Sequence, residues 1–221
     1  MKKETRSIEG FDQIQFKDFG QLILTQGDQE TLTVEADEEL LPELITEVHN
    51  GKLILGIEND WFSRLGKVIS SVFSSREHKV IYTITFVNLK AVSISGQCHL
   101  ECDSLKTNDL KLNVAGFGNL NFGHLDVNTL KVNISGRCEL SASGRADQQE
   151  VRISGSGEYQ APDLTSQSLR VVISGQGNAT VQVEENLDIT ISGLGQVNYY
   201  GQPKIHQVIS GLGKSKRLNE A

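Results

Sequence analysis

The segment Leu169-Arg170-Val171-Val172-Ile173-Ser174-Gly175-Gln176-Gly177-Asn178-Ala179-Thr180-Val181 sets apolar residues at alternate positions on both sides of a Ser-Gly-Xaa-Gly tetrapeptide. Alternation of period two is the signature of strands with one buried face. The tetrapeptide, or a near variant, occurs seven times: Ser95–Cys98, Ala115–Gly118, Ser135–Cys138, Ser154–Gly157, Ser174–Gly177, Ser192–Gly195 and Ser210–Gly213, at steps of 20, 20, 19, 20, 18 and 18 residues. After each one an apolar residue recurs at the second and fourth places, as in Leu100 and Cys102, Leu120 and Phe122, Leu140 and Ala142, and Val197 and Tyr199. A fixed period of this size marks a repeat fold in which no single unit buries its own apolar row.

Two short strands and their turns in 18 to 20 residues leave no room for a crossover helix of ordinary size, but they suit one coil of a parallel β-solenoid. The expected fold is all-β: a right-handed parallel β-solenoid of about seven coils, ~30 Å long at ~4.8 Å per coil. Its hand follows the general preference of parallel crossovers. Each glycine is expected at a sharp corner, often at positive φ, where a Cβ would clash. A phosphate loop is a poor alternative, since the Lys-Ser/Thr of such loops is missing and strands flank the glycines. A calcium-binding roll would need an Asp after each Gly-rich turn, and the turns do not supply that array.

The chain divides in this reading at about residue 88. Residues 89–221 form the solenoid, and residues 1–88 form a β-rich capping part that shields the first coil from edge pairing. Within 1–88, strands are expected over Phe11–Phe16, Gln21–Thr25, Thr31–Ala36, Lys52–Ile57 and Val80–Val87, with turns at Gly20, Gln26-Gly27-Asp28 and His49-Asn50-Gly51. Two helices are expected as well. One, near 38–48, is capped by Asp37 and carries Leu40, Leu41, Leu44, Ile45 and Val48. The other, near 61–74, carries an apolar stripe of Trp61, Phe62, Leu65, Val68, Ile69, Val72 and Phe73. That stripe reads either as core against the sheet or as an amphipathic arm, residues 60–76, docking on a membrane surface or a protein.

With 221 residues, a net charge of −7 and basic residues clustered no further than Lys214, Lys216 and Arg217, the chain is a poor nucleic-acid ligand. The opening Met1-Lys2-Lys3-Glu4-Thr5-Arg6 holds no apolar leader, and no run of ~18 apolar residues occurs. A chain that starts there is cytoplasmic; one trimmed of a leader belongs to the cell envelope or outside it. Three cysteines leave at least one unpaired. Cys98 and Cys138 fall two coils apart, ~9.6 Å by strand spacing, too far for a disulfide. A zinc site from Cys98, His99 and Cys102 lacks a fourth ligand and mixes inward with outward positions. No metal or other cofactor is expected.

The repeated turns, the opening Ile8-Glu9-Gly10-Phe11-Asp12-Gln13-Ile14, the stretch Thr33-Val34-Glu35-Ala36-Asp37 and the close Tyr200-Gly201-Gln202-Pro203 together resemble the head GIN domain family of autotransporter adhesins, over residues 7 to 214. The resemblance implies an all-β fold with a right-handed solenoid, export to the bacterial cell envelope, and no established enzymatic activity. The chain departs from the family pattern in three ways. It has no leader, it has Cys98 and Cys138 where turn glycines are expected, and it has the Trp61–Phe73 segment where a shorter connection is expected.

Three functions compete at this level. The first is a non-catalytic adhesin-like module that offers outward polar ladders to a protein or glycan at the cell surface, with Asn119, Asn121, Asn178 and Gln196 as its candidate ligand face. The second is a structural scaffold or membrane-associated signalling module that docks through 60–76 or self-associates. The third is a polysaccharide-active enzyme. Its candidate acids Asp103, Asp109, Asp126, Asp147 and Asp163 lie in separate coils, where nothing in the spacing forces two carboxylates together. No catalytic residue is assigned.

Overall fold

The computed structural model describes residues 1–57 and 79–219. Its sixteen strands begin with β1 (Lys2–Arg6), β2 (Gln13–Phe16), β3 (Phe19–Gln26), β4 (Thr31–Ala36), β5 (Leu44–His49), β6 (Lys52–Ile57), β7 (Ile81–Phe86) and β8 (Ala91–Ile94). The long strands β9 (Gln97–Val114), β10 (Phe117–Ile134), β11 (Arg137–Ile153), β12 (Ser156–Ile173) and β13 (Gln176–Ile191) follow. The chain then closes with β14 (Leu194–Tyr200), β15 (Lys204–Ile209) and β16 (Leu212–Arg217).

The parallel solenoid is present, and its seven tetrapeptide corners delimit six complete turns. Strands β9 to β13 pair in parallel with both neighbours, residue for equivalent residue, as in Leu120 with Leu100 and Leu140. The stack begins before the first tetrapeptide. β3 lies parallel on β9, and β2 lies parallel on β8, so Lys17-Asp18 occupies the corner beneath Ser95-Gly96. Among the described residues, antiparallel pairing appears only beyond that rung, where β4 bridges β7 and β1, and β5 folds back on β6.

Inward side chains form continuous apolar columns. One runs Leu100, Leu120, Leu140, Tyr159, Ala179, Val197; another runs Ile94, Val114, Ile134, Ile153, Ile173, Ile191; all are buried. The columns change character in the last coil. Gln207 and Ser215 stand where Ile189 and Val197 stand one coil earlier, and Ser215 Oγ donates to Gln207 Oε1 at 2.6 Å. Polar residues thus replace part of the apolar core at that end, as suits a terminal repeat, while Ile205 and Ile209 continue the columns of Leu187 and Ile191.

The corner glycines are required for a reason other than the one expected. None of the tetrapeptide glycines has positive φ; among the described residues that conformation falls to Gly10, Gly20, Gly51, Gly144, Gly201 and one non-glycine, Asn50. What excludes a side chain is the coil below. A Cβ on Gly136 would lie 1.9 Å from Gly116 O, and one on Gly116 would lie 1.9 Å from Gly96 O. Those carbonyls accept the next coil's amides, as in Arg137 N to Gly116 O at 3.0 Å. The glycines therefore permit close stacking of turn on turn.

The helix expected near 38–48 does not form. A single 3₁₀ turn covers Leu41–Glu43, and Leu44–His49 is strand β5. Pro42 sits in the first turn and cannot donate to a continuing helix. The turn Asn50-Gly51, both at positive φ (50° and 74°), instead folds β5 and β6 into a hairpin. The hairpin end is fastened by Arg6, which donates to Leu41 O at 2.5 Å, Thr46 Oγ1 at 3.0 Å and Leu44 O. The helix expected near 61–74, with Trp61, Phe62, Leu65, Val68, Ile69, Val72 and Phe73, lies outside the described residues.

Candidate ligand-binding groove

Each corner presents an outward residue at the variable third position of the tetrapeptide. The next residue is a glycine or an inward cysteine, and a second outward residue follows it. Because the pairing is in register, these positions stack across eight rungs. The first column is Phe19, Gln97, Phe117, Arg137, Ser156, Gln176, Leu194 and Leu212; the second is Gln21, His99, Asn119, Glu139, Glu158, Asn178, Gln196 and Lys214. Between the columns runs a groove of about 1810 Å³, reaching from Met1 and Phe19 to Leu212 and Lys214. Its floor is backbone, because the residue between the columns, Cys98, Gly118, Cys138, Gly157, Gly177 or Gly195, faces the core. Seven spacings of ~4.8 Å give it a length of about 34 Å.

The coils differ in length, yet the groove stays aligned. Irregularities of register fall between Phe122 and Leu125, Ser141 and Gly144, Ala161 and Thr165, and Ser166 and Ser168, all on the segment that follows the corner strand. A 19-residue step is accommodated there by Gly144 at φ +106°, where a Cβ would meet Leu125 O at 2.2 Å. Length variation is absorbed away from the two columns.

Six of the sixteen column residues are neutral amides, four are charged and four are apolar, Phe117 being the most exposed aromatic among them. Phe117 is 58% exposed although it neighbours the polar Gln97 and Arg137 in its column. Asn178 Oδ1 accepts from Gln196 N at 3.2 Å, and Gln196 Nε2 donates to Asn198 Oδ1 at 2.5 Å. Gln160 Nε2 donates to Glu158 Oε1 at 2.5 Å, and His99 Nε2 stands 2.9 Å from Glu101 Oε1. Three of these bonds join outward neighbours within one strand, and the one between Asn178 and Gln196 runs along the column.

Three of the four expected ligand-face residues, Asn119, Asn178 and Gln196, line the groove. Asn121 does not; it stands outward further along β10, where its Oδ1 accepts from Ser141 Oγ at 3.0 Å. Sequence reasoning missed Phe117 and Arg137, because the third letter of the tetrapeptide varies and looks like filler. Its ladder position was the available signal. The stripe of Trp61, Phe62, Leu65, Val68, Ile69, Val72 and Phe73 lies outside the described residues.

The candidate acids are spread as the spacing implied. Lys106 Nζ holds Asp126 Oδ2 at 2.6 Å and draws its carboxyl below the usual range, first through that hydrogen bond. Asp147 pairs with Arg145 at 2.8 Å. Cys98, Cys102 and Cys138 are free and buried, and burial pushes each thiol up to about 12. His99 stands outward on the same strand that turns Cys98 and Cys102 inward, so the three do not converge.

The family model described as "Putative auto-transporter adhesin, head GIN domain" matches residues 10–203. The chain belongs to the head GIN domain family. Solved structures share this GIN-domain fold. A putative adhesin from Bacteroides fragilis superposes with a TM-score of 0.82 at 22% identity, covering 99% of this chain and 96% of that one. A putative lipid binding protein from Parabacteroides distasonis gives 0.74 at 23% identity, covering 98% and 96%. A putative adhesin from Parabacteroides merdae gives 0.72 at 19%, covering 98% and 95%. Comparison with curated proteins finds no match.

Proposed function

We propose that this GIN domain is a non-catalytic, adhesin-like binding module of the bacterial cell envelope that holds an extended glycan along the corner groove. The observation that carries the reading is the pair of in-register columns, in which Gln97 and Asn119 lie beside an exposed Phe117 over a floor of backbone. A sugar ring has an apolar face suited to an aromatic platform and a rim of hydroxyls suited to fixed amides. A groove open at the surface and several rungs long suits a chain rather than a compact metabolite. The adhesin description of the family supports a location at the envelope. Among the described residues no helix is long and apolar enough to cross a membrane.

A glycan array probed with the intact chain, with Phe117→Ala and with Asn119→Ala/Asn178→Ala tests the reading. Retention of a polysaccharide class that both variants lose supports it. No retained glycan, or retention indifferent to both variants, overturns it; capture of polypeptides in place of glycans would point the groove to a protein.

A further inference from the structure

Where the two columns of the groove finish, at Leu212 and Lys214, the stack also presents an unpaired strand edge. There β15 pairs only with β13 and β16 only with β14, so both strands are edges among the described residues. Leu218 N donates back to Tyr199 O at 2.8 Å. By alternation along the strand, the amide and carbonyl groups of Ser215 and Arg217 then point away from the stack. Natural edges are blunted to prevent pairing, yet this one exposes Leu212 at 83%, Val208 at 51% and Ile205 at 42%.

Charge selects what can pair there. Lys214 and Lys216 stand beside the neutral Gln196 and Asn198 and make no ion pair among the described residues. Arg217 and Lys204 are exposed at the same end. This basic end sits on a chain of net charge −7. A second copy of the same edge would set lysine near lysine. An acidic strand would meet complementary charge, continue the ladder, and cover Leu212.

We propose that the C-terminal end of the solenoid takes up an acidic extended segment of a partner protein by strand addition to β16. Backbone hydrogen bonds to Ser215 and Arg217 supply the pairing, Leu212 the apolar anchor, and Lys214 and Lys216 the choice of charge.

The test uses the full chain and a fluorescein-labelled octapeptide of alternating glutamate and valine, followed by fluorescence anisotropy. Saturable binding that weakens with salt is expected. It should drop at least tenfold in Lys214→Glu/Lys216→Glu, and that variant should gain affinity for the matching lysine–valine peptide. Ser215→Pro keeps the charges and removes the outward amide, and it should also lose the acidic peptide. Lys214 and Lys216 are exposed and the Ser215 amide has no ladder partner at the last strand, so thermal melts should show each variant folded. Absence of binding to the wild type, equal binding by the charge-reversed variant, or full binding by Ser215→Pro overturns the proposal. Dimers of the wild type at low salt that disappear in Ser215→Pro would assign the edge to a second copy and overturn it as well.

Discussion

Tyr159 donates its hydroxyl to Gln149 Oε1 at 2.7 Å across the interior of the solenoid, in a core whose other buried residues are almost all apolar. Gln149 takes the place that Leu130 and Leu169 hold in the coils on either side. Its buried Nε2 has no hydrogen-bond partner among the described residues. Removing one member should therefore hurt, and removing both should help. Tyr159→Phe strands both ends of the glutamine amide, and a loss of about 1–3 kcal/mol is expected. The double variant Gln149→Leu/Tyr159→Phe should match or exceed the wild type in urea midpoint, since neither buried polar group remains. A double variant less stable than either single variant would refute this account.

Stacking of corner on corner makes a second expectation. Gly136→Ala forces a Cβ to within 1.9 Å of a backbone oxygen that cannot rotate away. Gly157→Ala meets only the Cγ2 methyls of Ile134 and Ile153, at 2.9 and 3.0 Å. The first should cost about 3 kcal/mol or more and the second less, because side chains yield where backbone does not. Chemical denaturation of the two variants side by side gives the order.

Alkaline pH should weaken the fold through its thiols. Unfolded cysteines ionise near 9, whereas burial holds Cys98, Cys102 and Cys138 protonated to about 12. Above pH 9 the unfolded chain has lost these protons and the folded chain has not, so stability falls as pH rises. Three thiols together would lower it by about 4 kcal/mol between pH 7 and pH 10. Urea unfolding at both values, compared with Cys98→Ala/Cys102→Ala/Cys138→Ala, checks the sign. The variant should keep only the shallower decline owed to Tyr82 and Tyr159, whose phenols burial also raises.

Arg6 joins the first strand to the hairpin through three acceptors on Leu41, Leu44 and Thr46. Arg6→Lys retains the charge but not the planar fork, so most of the stabilisation should be lost in both Arg6→Lys and Arg6→Ala, about 1–3 kcal/mol. Thermal melts that separate the two variants widely would show that charge matters more than geometry.

The solenoid was legible because its constraint is repeated. Seven corners, each followed by inward residues such as Leu120 and Phe122, say the same thing. The hairpin of β5 and β6 was harder to read because it occurs once. Leu40, Leu41, Leu44, Ile45 and Val48 do sit at helical spacing, and only Pro42 and Asn50-Gly51 decide against it. The role of the corner glycines was misread for a different reason. Close approach involves the coil twenty residues earlier, and a local rule about φ does not see it. The same holds for the groove, since Phe117 acquires meaning only when stacked between Gln97 and Arg137.

The plug formed by Gln207 and Ser215 has an evolutionary corollary. Since the stack ends where its chemistry changes, the rod's length is a count of interior modules, free to drift by duplication or loss of whole coils. Each such event would lengthen or shorten the groove by one increment of ~4.8 Å. A lineage could in this way retune the length of the rod without redesigning either end of the stack.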